Sequence, residues 1–141
     1  MFAHVHSHVI EWGECDPAGI VFFPRFLEMF DVATAFMFEA ATGMSRAKLV
    51  SHYGILGWPI VSCQVDFRAT ARFDDRVTIH SEIRRLGRTS IEIAQVIRRD
   101  DIVCVETTGT RIWAKYGEEG AVVPEPLPAE LRHQLSKGNE A

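Results

Sequence analysis

The chain has 141 residues, 47% of them hydrophobic and 24% charged, which is enough for one globular domain with a proper core. Its formal net charge of −4 gives no bulk support for a nucleic-acid partner, so an anionic ligand would need a local basic cluster. No apolar run is long enough to span a membrane, no signal peptide is evident, and the scattered Cys15, Cys63 and Cys104 form neither a disulfide framework nor a metal-ligand pair, as expected in a reducing cytoplasm.

Residues 4–12 alternate, with Val5, Ser7 and Val9 on one face and His4, His6 and His8 on the other, a strand pattern. Three histidines on one face could bind metal. No acidic or cysteine partner lies nearby in sequence, and an N-terminal strand can simply expose them, so no metal site is expected.

The stretch Glu14-Cys15-Asp16-Pro17-Ala18-Gly19-Ile20-Val21-Phe22-Phe23-Pro24 places a single carboxylate, Asp16, in a Pro/Gly loop just before a helix. Pro24 suits the first helical turn, where its missing N–H costs nothing. Two readings of Asp16 stand side by side. It is the turn former that Asp-Pro-x-Gly sequences commonly need, or it is a reactive carboxylate beside the positive end of a helix.

The helix runs from Pro24 to about Thr42, with Gly43 as its stop signal. Its apolar side chains cover most of the circumference, leaving a narrow polar sector near Arg25, Glu28 and Glu39. A helix apolar nearly all round is expected to be buried. Asp31 falls on its apolar face, either as a structural acid paired with backbone or an arginine, or as a polar contact for a substrate.

A short helix from Ser45 to about His52 follows, with Ser45 as its N-cap. Residues 61–73 alternate without a break, from Val61 to Phe73, and predict a long strand with one face buried. Strands are also predicted over 76–86, 90–97 and 102–114, with turns at Asp74-Asp75, Gly87 and Asp100-Asp101. Residues 117–128 are Gly/Pro-rich, and Leu131 to Leu135 form a weak helix. The expected fold class is α+β: one domain over residues 1–141, with a loop-rich tail at 117–141. Short turns imply antiparallel neighbours, and one apolar sheet face curling round one apolar helix is the economical packing.

This order of elements, with Trp12-Gly13-Glu14-Cys15-Asp16-Pro17-Ala18-Gly19-Ile20-Val21 before the helix and Gly57-Trp58-Pro59-Ile60-Val61-Ser62-Cys63 after it, resembles the hotdog-fold acyl-CoA thioesterases. The branch it looks most like is the 4-hydroxybenzoyl-CoA thioesterases, and the likeness runs to about residue 116. The resemblance implies a five-stranded sheet wrapped around a long central helix. It also implies a homodimer or homotetramer with active sites at subunit interfaces, and no cofactor. Asp16 matches that branch's catalytic carboxylate. The backbone N–H of Phe23 matches the group that polarises the thioester carbonyl, a role that suits a helix N-terminus. Asp31 matches a residue contacting the acyl ring. Phe23 stands where that branch has Tyr, and Trp58 where it has Thr, so Trp58 is expected to reshape the acyl end of the pocket.

Arg84, Arg85 and Arg88 cluster around the Gly87 turn. They form either a solvated hairpin or a site for CoA phosphates. The resemblance favours the second, with Arg88 and Ser90 as the matching residues. The expected activity is hydrolysis of an acyl-CoA carrying an aromatic or other compact acyl group, with Asp16 as nucleophile or general base. Two other classes remain open. One is a non-catalytic acyl-CoA-binding module, which would have no need of a carboxylate in the loop. The other is a 3-hydroxyacyl-thioester dehydratase, which would usually place a His in the site; the nearest candidates, His52 and His80, have no visible partner in the sequence.

Overall fold

Strict alternation is clearest in the two central strands. In β3 (Arg76–Leu86) and β4 (Ser90–Arg99), Val77, Ile79, Ile83, Ile91, Ile93 and Ile97 all point inward and are buried. The computed structural model describes residues 1–138, so the last three residues of the expected tail, 139–141, lie outside the described residues. With β1 (Ala3–Val9), β2 (Ile60–Phe67) and β5 (Ile102–Ile112), these strands form one five-stranded sheet in the order β1-β3-β4-β5-β2. Every neighbouring pair is antiparallel, and the sheet packs against the long helix α1 (Phe23–Thr42). This is the expected hotdog arrangement.

Helix α1 has Phe22 as its N-cap residue, Pro in its first turn, and Gly43 at φ 74° closing its C-terminus. That left-handed conformation is one glycine adopts without a Cβ penalty. Its inward face, which includes Phe26, Met29, Phe30, Ala33, Met37 and Phe38, is buried. A polar tie crosses this apolar layer: Gln95 Nε2 donates to the Phe30 carbonyl (3.0 Å), Thr34 Oγ1 (3.2 Å) and Ser81 Oγ (2.9 Å). Such a bonded amide fixes helix against sheet, where an unpaired one would be costly.

The short helix α2 (Arg46–Tyr53) is capped by Ser45, whose Oγ accepts the Lys48 N–H. After β5 the chain forms a small hairpin, β6 (Ala114–Tyr116) with β7 (Val122–Pro124), and only β7 falls within 117–128, the stretch read from sequence as loop. Helix α3 (Ala129–Ser136) then seals a second core cluster with the fully buried Leu131 and Leu135. Among the described residues no helix is long and apolar enough to cross a membrane, and no group of residues is arranged to hold a metal ion.

Four expectations need correction. The strand over 61–73 ends at Phe67, because Arg68 N and Ala69 N both turn to the Cys104 carbonyl; the following residues pair instead with the loop before α1, where Val21 N reaches the Ala71 carbonyl. The apolar face of this stretch is only partly buried: Ala71 is in the core and Val65 and Ala69 pack against it, but Val61, Phe67 and Phe73 are about half exposed. The physical reason is position: β2 is an edge strand, while α1 leans toward β1 and β3. Helix α1 is likewise buried on one side only, and Phe23, Leu27, Val32 and Phe36 stay exposed. The histidine face of β1 is not the solvent face: His4, His6 and His8 are half-buried while Val5, Ser7 and Val9 are exposed. His6 stacks on Phe36 (centroids 4.4 Å apart) and His8 bonds Glu14, so these rings serve as packing and hydrogen-bonding groups.

Candidate active site

The Asp16 loop is a closed knot of backbone hydrogen bonds. Phe22 N donates to the Glu14 carbonyl, Asp16 N to the Ile20 carbonyl and Gly19 N to the Asp16 carbonyl, each at 2.9 Å. Gly19 sits at φ 80°, as the reversal requires. Asp16 Oδ1 accepts the Ala18 N–H at 2.8 Å, an Asx turn that fixes the carboxylate's direction. Oδ2 has no hydrogen-bond partner among the described residues, and Asp16 is half-buried. One carboxylate oxygen therefore forms the turn, and the other is left without a bond among the described residues.

The loop delivers the chain into α1. Phe22 caps it, with its carbonyl accepting the Arg25 N–H at 2.8 Å. The Phe23 N–H is one of the orphan donors every helix start leaves, and it has no partner among the described residues. Its side chain is exposed and lies edge-on to Phe67 at the end of β2, 6.0 Å between centroids. A carboxylate oxygen and an unused amide at a helix N-terminus thus lie at the two ends of one short, hydrogen-bonded segment.

Two turns further along α1, at about 1.5 Å rise per residue, Asp31 follows Phe23 and Leu27 on the uncovered side of the helix. There a cavity of ≈ 550 Å³ opens between α1 and the β5–β2 side of the sheet, with Leu27, Asp31, Ile60, Cys63, Gln95 and Arg111 in its wall. The wall is largely apolar, as small-molecule sites usually are, with a few convergent polar groups. Asp31 is paired: its Oδ1 accepts from Arg111 Nη1 at 2.8 Å, and the same nitrogen donates to the Trp58 carbonyl at 3.1 Å. The two charges are unequally placed, since the Asp31 side chain is 60% exposed and that of Arg111 8%.

Trp58 does not line this cavity. Its ring is buried between Phe38, edge-on at 4.7 Å, and Trp113, stacked at 6.0 Å, with the Arg46 guanidinium 4.9 Å from its centroid. Only its carbonyl takes part, through Arg111. The Trp58 side chain, expected near the acyl end of the pocket, is instead drawn inward by an aromatic cluster that α2 and α3 enclose.

Arg88 and Ser90 lie together at the β3–β4 turn, closed by Gly87 N donating to the Ser90 carbonyl at 2.8 Å. Arg88 is exposed, and its side chain is without a partner among the described residues. A Cβ at Gly87 would meet Ser90 Oγ, which would have to rotate away. Arg132 of α3 braces the turn by donating to the Gly87 carbonyl at 2.6 Å. The turn is not part of the cavity wall, so the structure places the expected residues in three separate groups: the Asp16–Phe23 segment, the Asp31–Arg111 cavity, and the Arg88–Ser90 turn.

Two groups escaped the sequence reading. Arg111 has a signal in hindsight: it shares the inward phase of β5 with Val105 and Gly109, the wrong phase for a solvated arginine. Glu14 and His8 carried no such signal, because their pairing joins a strand to a loop six residues away.

Residues 18–106 match the family described as the Thioesterase superfamily. A 4-hydroxybenzoyl-CoA thioesterase of Pseudomonas sp. (strain CBS-3) is 42% identical over 81 residues, 57% of this chain and 57% of that protein's own length. A solved structure of 4-hydroxybenzoyl-CoA thioesterase from the same strain superposes with a TM-score of 0.88 at 28% identity, covering 95% of this chain and 99% of that one. A gentisyl-coenzyme A thioesterase structure superposes with a TM-score of 0.82 at 27% identity, covering 94% and 100%.

Proposed function

The chain belongs to the thioesterase superfamily, and on that premise we propose that it hydrolyses an acyl-CoA thioester to the free acid and CoA. The observation that carries the reading is the Asp16–Phe23 segment, with one carboxylate oxygen held by the Ala18 N–H and the helix-initiating Phe23 N–H left unpaired. The thioester carbonyl oxygen accepts from Phe23 N–H, which sits where the helix dipole favours the negative charge of a tetrahedral intermediate. Asp16 supplies the basic oxygen. It either attacks the carbonyl to give an acyl anhydride that water then opens, or takes a proton from the attacking water. In both routes the C–S bond breaks, CoA leaves as the thiol, and water provides the new oxygen of the acid.

The acyl group proposed is aromatic or otherwise compact, and it enters the cavity beside Asp31. The two related enzymes named above act on aromatic acyl-CoAs, and the cavity wall is apolar for most of its area. The Arg88–Ser90 turn provides an arginine and a hydroxyl for the CoA phosphates. The working protein is a homodimer or homotetramer with the site at a subunit interface. Support comes from the edge strand β2, which exposes Ile60, Val61 and Phe67, and from the uncovered side of α1 with Phe23 and Leu27; an open edge of this kind is a template for a second chain.

The experiment is release of free CoA thiol across benzoyl, hydroxybenzoyl, phenylacetyl and aliphatic acyl-CoAs, run for the wild type and Asp16→Asn. Turnover that disappears in Asp16→Asn is expected. Full turnover in the variant would remove Asp16 from the mechanism, and saturable binding without turnover in the wild type would make the protein an acyl-CoA-binding module.

A further inference from the structure

We propose that Arg111 makes the cavity beside α1 a receptor for a carboxylate at the far end of the acyl group, so that the preferred substrates are mono-CoA thioesters of dicarboxylic acids. The inference rests on the thioesterase reading of the same site and adds the chemical class of acyl group.

A guanidinium carries five N–H donors. Two are used here, both on Nη1, by Asp31 Oδ1 and the Trp58 carbonyl. The Nε–H and both Nη2–H groups have no partner among the described residues, yet Arg111 is only 6% exposed and lies in the cavity wall. These donors are left to water or to a ligand. Several side-chain atoms among the described residues are both sealed from solvent and unpaired, and none of them belongs to Arg111. Its free edge therefore opens on the cavity.

The shape of that edge selects the ligand. Nε–H and one Nη2–H point in parallel, in the plane, from one edge of the guanidinium, the arrangement that grips two carboxylate oxygens at once. Nη1, pinned by Asp31 and Trp58, holds the group in orientation before any ligand arrives, which lowers the ordering cost of binding. The remaining wall, with Leu27, Ile60 and Ile93, suits the apolar body of an acyl chain or ring.

Two other charges face the cavity, Asp31 and Glu28, and both are acidic. Asp31 is balanced by Arg111 itself, and Glu28 by Arg25 at 2.9 Å. Their side chains are 60% and 62% exposed, so water screens them. Arg111 is the charge withdrawn from water, and its field acts most strongly within the cavity.

The test compares wild type, Arg111→Gln and Arg111→Lys on two matched pairs: 4-carboxybenzoyl-CoA with 4-methylbenzoyl-CoA, and glutaryl-CoA with pentanoyl-CoA. In a pair that is hydrolysed, wild type should favour the carboxylated member by at least about tenfold in kcat/KM. The preference should fall to within about twofold in Arg111→Gln and be intermediate in Arg111→Lys, which keeps charge but loses the parallel edge. Wild-type discrimination needs no variant, so it decides the question even if Arg111→Gln fails to fold. Equal or lower kcat/KM for the carboxylated members overturns the inference and leaves the thioesterase reading standing. If neither pair is hydrolysed, ligand melting shifts decide: 4-methylbenzoate should stabilise wild type more than the neutral 4-methylbenzamide does, and the absence of that difference overturns the inference.

Discussion

His8 Nε2 lies 2.7 Å from Glu14 Oε1, a bond that ties the first strand to the loop carrying Asp16. The same Glu14 oxygen accepts the Glu11 N–H at 2.8 Å, and the Glu14 carbonyl accepts the Phe22 N–H. One residue thus anchors both ends of the segment that holds Asp16 and leads to the Phe23 amide.

Glu14→Ala should therefore cost stability and turnover together. Loss of the Glu11 N–H bond and of the His8 partner is expected to cost about 1–2 kcal/mol, read by urea unfolding. The turnover loss should fall on kcat more than on KM, because the change displaces Asp16 and not a binding surface. Glu14→Gln keeps an acceptor oxygen and should recover most of both. A kcat unchanged in Glu14→Ala would separate the loop's position from this anchor.

Trp58 is a packing residue by its surroundings, and its substitution should behave accordingly. Trp58→Ala is expected to lose about 3–5 kcal/mol, the usual range for a large aromatic truncated in a core. Trp58→Phe keeps a ring against Phe38 and Trp113 and should fold. Its ranking of acyl-CoA substrates should match that of the wild type, since the indole is absent from the cavity wall. A reordered substrate panel in Trp58→Phe would return the residue to the acyl pocket.

At the β3–β4 turn, Arg88→Ala should raise KM for acyl-CoA and leave kcat unchanged, the pattern of lost uniform binding. The difference from wild type should shrink with added salt, as the screening length falls from about 10 Å at 0.1 M to about 3 Å at 1 M. Steady-state kinetics at two salt concentrations measure both effects. An Arg88→Ala KM equal to that of the wild type at low salt would make the turn a solvated hairpin and nothing more.

Stability should depend on pH through His6 and His80. Burial holds the His6 imidazolium pKa below its ordinary 6.5, and the neighbouring His4 and His8 push the same way. His80 is lowered by burial and then by Arg98. Both groups bind protons more readily in the unfolded chain. Their contribution is fully present above the unfolded value of 6.5, and it is lost as pH falls from there through the lower folded values. Thermal melts between about pH 7.5 and about pH 5.5 should show this loss. His6→Phe keeps a ring for Phe36 to stack on and should flatten the slope without abolishing it. A slope unchanged in His6→Phe would assign the whole effect to other groups.

Much of the fold was legible because it depends on short-range pattern. The alternation of β3 and β4, the Ser45 cap, the Gly43 stop and the Asp74, Gly87 and Asp100 turns are all decided by residues within a few positions of one another. The unbroken alternation of 61–73 misled about burial. Periodicity tells which side chains share a face, but not whether another element covers that face. Because β2 is at the sheet edge and α1 leans away from it, the apolar stripe became a cavity wall and an open edge.

Backbone preference and local spacing, both read from the chain, set the five strands of the sheet, the three helices, their order and the loop in which Asp16 stands. Tertiary structure alone decided the meeting of Asp31 with Arg111, 80 residues apart, the inward turn of Trp58, and the anchoring of Glu14 by His8. The physical reason is that each of these is a contact between side chains on different elements. No property of either residue's neighbours in sequence determines such a contact until the sheet has curled around the helix.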